Sequence, residues 1–186
     1  DWDKMSSSWT ANVVINSIPA SSILADDWKK HVQGEVSGGA GLRGEQGRLT
    51  HVAGLVRLQN GMLSGLPVLD RLALFCDSSR FRQLALHKAS AQFRYIKGVW
   101  HVSDVVIESE NLMRVEGWLE RWDDGSLKGR FQVGLRADGM WNSLPGFSDV
   151  FSASRQGGGA GLVWANVNIG GTWDNPSEDL SARLLK

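Results

Sequence analysis

A single cysteine, Cys76, leaves no partner for an internal disulfide, so covalent cross-links cannot hold this fold together. Lys plus Arg and Asp plus Glu both number 20, so neither sign of charge is in excess. A nucleic-acid binder needs a basic surplus or a basic stripe, and nucleic acid is therefore not expected as a partner. No stretch approaches the roughly 18 unbroken apolar residues of a membrane-spanning helix. Nothing at Asp1 has the form of a signal peptide, and the chain is expected to be a piece excised from a longer protein. Prolines number only four, against 22 glycines and nine tryptophans among 186 residues. That balance fits one domain of strands, turns and bulges.

The clearest pattern is LMRVEGWLERWDDGSLKGRFQVGLRA, Leu112 to Ala137. Met113, Val115, Gly117 and Leu119 alternate with Arg114, Glu116 and Glu120. Beyond Asp123-Asp124-Gly125, the residues Leu127, Gly129, Phe131, Val133, Leu135 and Ala137 alternate with Lys128, Arg130, Gln132 and Arg136. Successive side chains of a strand point to opposite faces, so this is a hairpin with one buried and one wet face. Glycine at the turn accepts the positive φ that tight hairpins need.

The same alternation recurs along the chain. Residues 1–8 are polar and expected to fray, and 9–186 are expected to form a single domain. Trp9, Ala11, Val13 and Ile15 mark a first strand. Pro19, Ser21 and Ser22 then open an expected helix through Ile23, Leu24 and Trp28, stopping at Gly34. A bulged strand is expected from Val36 to Arg43, and another from Leu49 to Leu58. Asn60-Gly61 reads as a turn. LPVLDRLALFCD, from Leu66 to Asp77, reads as a helix. Its stripe of Leu66, Leu69, Leu72, Ala73 and Cys76, widened by Val68 and Phe75, must lie on a sheet. One strand is expected from Leu84 to Tyr95 and the next from Trp100 to Ser109, with Val105 and Ile107 on one face and Val102 and Val106 on the other. Trp141 to Phe151 should form short half-turns broken at Pro145-Gly146, and Gln156 to Gly161 a glycine loop. Leu162 to Trp173 closes the sheet with Val163, Ala165, Val167 and Ile169 on one face, before a short element near Asp179 to Leu185.

Chemistry-bearing residues do not cluster in sequence. His31, His51, His87 and His101 are scattered, without the spacing that converging metal ligands require. Cys76 lies on an apolar stripe, which suits a buried thiol better than a nucleophile. Ser143 and Ser152 lack a GxSxG elbow. Asp26-Asp27 and Asp123-Asp124 read as a helix surface and a turn. The glycines at 157–159 lack the Lys-Ser/Thr of a phosphate loop. No catalytic residue, metal or cofactor is assigned, and an enzyme is not expected. Trp118 and Trp122 share the polar side of their strand, as cover for the outer face or as contacts to lipid headgroups or another module.

Three stretches together resemble AsmA-like proteins, relatives of the TamB type of envelope protein. GLVRLQNGMLSGLPVLDRLALF is similar to that family's strand and "dG" turn followed by an apolar helix. FRQLALHKASAQFRYIKGVWHVSDVVIESENLMRVEG resembles its strand ladder. NIGGTWDNPSEDLSARLL resembles its closing "GT.d.P" strand. The likeness runs over residues 9–185. It implies a curled antiparallel β-sheet forming a groove or half-pipe, with two to three short helices as caps or plugs. It implies a periplasmic location within an inner-membrane-anchored protein, and a role in phospholipid transport and outer-membrane integrity. The implied partners are a phospholipid or other acyl chain, neighbouring β-groove modules of the same longer chain, and inner- and outer-membrane envelope proteins. The apolar strand positions Val13, Ile15, Val115, Leu119, Leu127, Phe131, Val133, Leu135, Val163 and Val167 are the candidate groove lining. Leu66, Leu69, Leu72, Phe75 and Cys76 are the candidate cap. A fully packed interior, in a structural or docking module of the envelope, is the competing expectation.

Overall fold

The computed structural model describes residues 8–110, 112–138, 140–152 and 161–185. The start expected to fray, Ser8 apart, and the expected glycine loop, Gly161 apart, lie outside these residues. Among the described residues ten strands form one open antiparallel sheet. They are β1 (Ser8–Pro19), β2 (Val32–Glu45), β3 (Arg48–Ser64), β4 (Gln83–Leu86), β5 (Lys88–Ile96), β6 (Val99–Ser109), β7 (Met113–Trp122), β8 (Leu127–Arg136), β9 (Leu162–Gly171) and β10 (Pro176–Glu178). The path is a meander, β1-β2-β3-β5-β6-β7-β8-β9-β10, with β4 paired to the far end of β3. Four short helices accompany it: α1 (Asp26–Lys29), α2 (Pro67–Phe75), α3 (Phe147–Val150) and α4 (Leu180–Arg183).

Tight hairpins explain the meander. Gln46 and Gly47 join β2 to β3 with φ of +50° and +76°, and Lys97 and Gly98 join β5 to β6 with +49° and +84°. Paired positive φ values match the right-handed twist of the strands they connect. Register then lines apolar residues up across the sheet. One row runs Ile18, Val36, Leu58, Ala89, Ile107, Val115, Val133, Ala165 over eight strands. A second runs Val13, Ala40, Gly54, Phe93, Val102, Leu119, Gly129, Ile169. Antiparallel sheets tolerate such segregation, with one apolar face and one polar face.

Aromatic rings on this sheet lie over glycines. Trp9 faces Gly44, Phe93 faces Gly54, Phe131 faces Gly117 and Trp164 faces Gly134, each directly across a strand pair. A Cβ on Gly117 would lie 2.6 Å from Cδ1 of Phe131. It would also meet the Arg130 carbonyl oxygen, so Gly117→Val is expected to displace both the ring and the neighbouring backbone and cost about 1–3 kcal/mol, despite valine's preference for strands. Urea unfolding measures this, and a loss below about 0.5 kcal/mol would contradict it.

The helices gather at one end of the apolar face. Pro67 opens α2, where its missing N–H costs nothing, and Leu69, Leu72, Ala73 and Cys76 are buried. They meet Leu84, Leu86, Met113, Val133, Leu135 and Val167 of the sheet, with Trp141, Phe147, Phe151, Leu180 and Leu184 closing the sides. Phe75, Phe147 and Phe151 stack together, Phe147 and Phe151 with ring centroids 5.0 Å apart. Cys76 is 3% exposed, and burial pushes its thiol up to about 12. It is expected to stay unreactive toward an aromatic disulfide reagent at pH 8 until denaturant is added; rapid reaction of the native protein would refute the packing.

Four expectations are corrected. The helix from Pro19 to Gly34 is reduced to a 310 turn at Ala20–Ser22 and the single turn α1, while Gly34 lies within β2. Ile23 and Trp28 remain 50% and 43% exposed, so no burial supports a longer helix. Asn60-Gly61 does not end a strand. Asn60 takes φ +49° inside the 17-residue β3, which passes there from pairing with β5 to pairing with β4. The strand expected from Leu84 to Tyr95 is two strands, broken at His87. Val102 shares the apolar face with Val105, because a bulge at Ser103-Asp104, with Asp104 at φ +48°, resets the alternation.

Candidate functional site: an apolar face with a cavity at one end

Between α2 and the sheet lies a cavity of about 210 Å³. Leu66, Val68, Leu69 and Leu72 wall it from the helix, and Ile107, Val115, Phe131, Val133, Val167 and Ile169 from the strands. Glu178 and Leu180 close its side. The exposed wall is apolar, because the one carboxylate beside it is occupied elsewhere. Glu178 Oε2 accepts from the Leu180 and Ser181 backbone N–H groups at 2.7 and 2.9 Å. An apolar cavity of ~150 Å³ is large enough to stay dry and admit benzene, which sets the scale.

Asp179 pins the same flank. Its carboxylate accepts from the Asn168 backbone N–H (3.0 Å) and side-chain Nδ2 (2.7 Å), and from Arg183 at 3.3 Å. Arg183 also donates to the Asn166 carbonyl. Burial raises the Asp179 pKa, but the Asn168 hydrogen bonds and the Arg183 charge outweigh it, and the net value falls below the ordinary 3.8. A depressed carboxylate contributes stability that is complete above the unfolded value and lost as pH falls through the folded one. Acidifying from pH 5 to 3 is thus expected to loosen α4 less in Asp179→Asn than in the wild type. Amide hydrogen exchange at 180–184 reads the difference.

The candidate lining residues divide. Leu135 is fully buried beneath the helices, and Val133 and Val167 are buried at the cavity floor. Val115 and Phe131 are half-buried on its wall, and Val163 is half-buried against the core beside Leu135. Leu119 and Leu127 continue the face away from the helices, Leu127 at 9% exposure. Ile15 and Val13 lie on the same face at the far edge of the sheet, with Val13 43% exposed. Of the candidate cap residues, Leu66, Leu69 and Leu72 touch the cavity, whereas Phe75 and Cys76 pack into the core behind it.

The end of the face away from the helices has a different chemistry. Tyr95 and Trp100 face each other across β5 and β6 with ring centroids 5.1 Å apart, and Phe93 adjoins Trp100 at 6.4 Å. Arg121 sits in the same row, between Trp100 and Leu127. Its guanidinium carbon is 5.3 Å from the Trp173 ring centroid, and its Nε is buried with no hydrogen-bond partner. A buried unmet donor costs about 1–3 kcal/mol. Among the described strand residues, register places two charges on the apolar face, Arg121 and Glu178.

The polar face carries the ordinary surface pairs. Arg114 bridges Glu108 and Glu116, and His101 Nδ1 lies 3.0 Å from Glu120. The bulge at Ser103-Asp104 leaves a wide, open dent there, beside Trp118, Arg130 and Gln132. His31 donates from Nδ1 to the Ser64 carbonyl at 2.9 Å. Among the described residues no three His, Cys, Asp or Glu side chains converge to hold a metal ion. No described helix is long and apolar enough to cross a membrane.

Comparison with family models, with curated proteins and with solved structures gave no match. The site therefore stands on its own geometry. Sequence reading missed Arg121, yet a signal was present. In Met113, Val115, Gly117, Leu119, Arg121 it is the charge that breaks an apolar alternation. It also missed Phe81, which lies outside any strand pattern and is fully buried.

Proposed function

We propose that this chain is a non-enzymatic lipid-binding module that takes an acyl chain onto its apolar face. In this reading it belongs with the AsmA-like envelope proteins its motifs resemble. It would act in the periplasm, within an inner-membrane-anchored chain that moves phospholipid between the two membranes. The observation that carries the reading is the apolar cavity under α2, which opens onto an apolar face shared by successive strands. Each methylene moved from water into such a site is worth about 0.8 kcal/mol, so a few suffice for binding. The test is native mass spectrometry of the gently purified protein, with solvent extraction of whatever co-purifies. Bound phospholipid or fatty acid is the expected result; a protein that carries no lipid and takes none up from vesicles refutes the reading.

One observation favours the second reading, a docking module of envelope assembly. β1 is a 12-residue edge strand, exposed over most of its length, with Val14 71% exposed and no charged residue in it. Natural edges are usually guarded by charges or bulges; ahead of the bulge at Asn16-Ser17, the stretch from Ser8 to Ile15 carries neither and is a template for a further strand. Docking through β1 would leave the cavity empty of lipid in the same extraction.

A further inference from the structure

We infer that Arg121 is the headgroup contact of the bound lipid: a guanidinium that receives the phosphate or carboxylate of an anionic amphiphile whose tail lies along β7 and β8. The inference rests on the acyl-binding reading above and adds to it polarity and direction.

Three features on the same face converge. First, the track from Met113 at the cavity to Arg121 spans eight residues of β7, about 26 Å at ~3.3 Å per residue. One acyl chain needs about half of a ~30 Å bilayer core, so the chain fits between the two ends. Second, among the described residues no carboxylate pairs with Arg121, as one would with a structural arginine in an apolar setting. Its guanidinium lies over the Trp173 ring, Trp100 and Leu127 flank it in register, and its Nε has no acceptor. Glu178, the other charge on this face, is held by backbone N–H groups and is no partner for it. Third, Trp173 lies against the cation, Trp100 stands across the strand pair from Arg121 and Tyr95 packs on Trp100, a group of amphipathic rings of the kind that suits a boundary between hydrocarbon and water. Guanidinium presents a planar fork of donors that matches phosphate and carboxylate oxygens.

The measurement is calorimetric titration of the 186-residue chain with dodecyl phosphate, dodecyl maltoside and inorganic phosphate, the amphiphiles kept below micelle formation. Wild type is expected to bind dodecyl phosphate at least about tenfold more tightly than the maltoside. Arg121→Gln should remove that difference by weakening dodecyl phosphate alone, and Arg121→Lys should keep part of it. The wild-type comparison stands even if a variant folds poorly. Equal binding of both amphiphiles, unchanged by Arg121→Gln, would overturn the headgroup role while leaving the acyl site intact. Inorganic phosphate binding as tightly as dodecyl phosphate would overturn it in favour of a free-anion site. Failure of both amphiphiles to bind wild type would remove the acyl-binding reading, and the inference with it.

Discussion

Phe81→Ala is expected to cost about 3–5 kcal/mol, close to the largest loss any single truncation here can cause. The ring is 0% exposed and meets Trp141 edge-on, with centroids 5.4 Å apart. It sits in the 310 turn Ser79–Arg82, which links α2 to β4, so a cavity there loosens helix and sheet together. The surrounding core includes Leu72, Leu84 and Leu135, all nearly or wholly buried, and such walls collapse only partly around a missing ring. Against a typical total of about 5–15 kcal/mol, the variant should be near its threshold at 25 °C. Urea unfolding should give a lower midpoint with an unchanged slope. Leu74→Ala is the control. Leu74 is on α2 but 72% exposed, and its truncation should change stability by no more than about 0.5 kcal/mol. Similar losses for the two variants would contradict the packing.

Val68→Trp is expected to reduce acyl-chain binding about fiftyfold. Val68 is half-buried on the cavity wall, so an indole there can occupy space that methylenes would otherwise fill. Excluding three methylenes forfeits about 2.4 kcal/mol at ~0.8 each, which corresponds to that factor. Leu74→Trp puts the same side chain on the solvent side of the same helix and should leave binding unchanged. Titration with a dodecyl amphiphile separates the two. If both variants bind like wild type, the cavity is not where the chain enters.

Much of the architecture was legible. The alternation of β7 and β8 named their faces correctly residue by residue, because the period of two is a local property of extended backbone. The stripe on α2 was legible for the same reason at helical period, and Leu69, Leu72 and Cys76 are buried as it required. Where local order breaks, the reading failed. One extra residue at Ser103-Asp104 moved Val102 and Trp100 onto the apolar face, and nothing in VWHVSDVV distinguishes a bulge from continued alternation. Asn60-Gly61 has a turn's chemistry, yet β4 and β2 flank it and hold β3 extended through it.

The site itself divides along the same line. Alternation alone settles that a greasy face exists and, within an unbulged strand such as β7 or β8, which residues point toward it, since side-chain direction follows from backbone geometry. Only long-range packing decides what covers each of them. Leu135 and Leu119 carry the same pattern six strand positions apart in register, yet one lies at 0% exposure under helices that return from distant sequence and the other remains half-buried on open sheet. Arg121 became meaningful in the same way. Its charge is in the sequence, but its unmet Nε arises from which distant strands surround it.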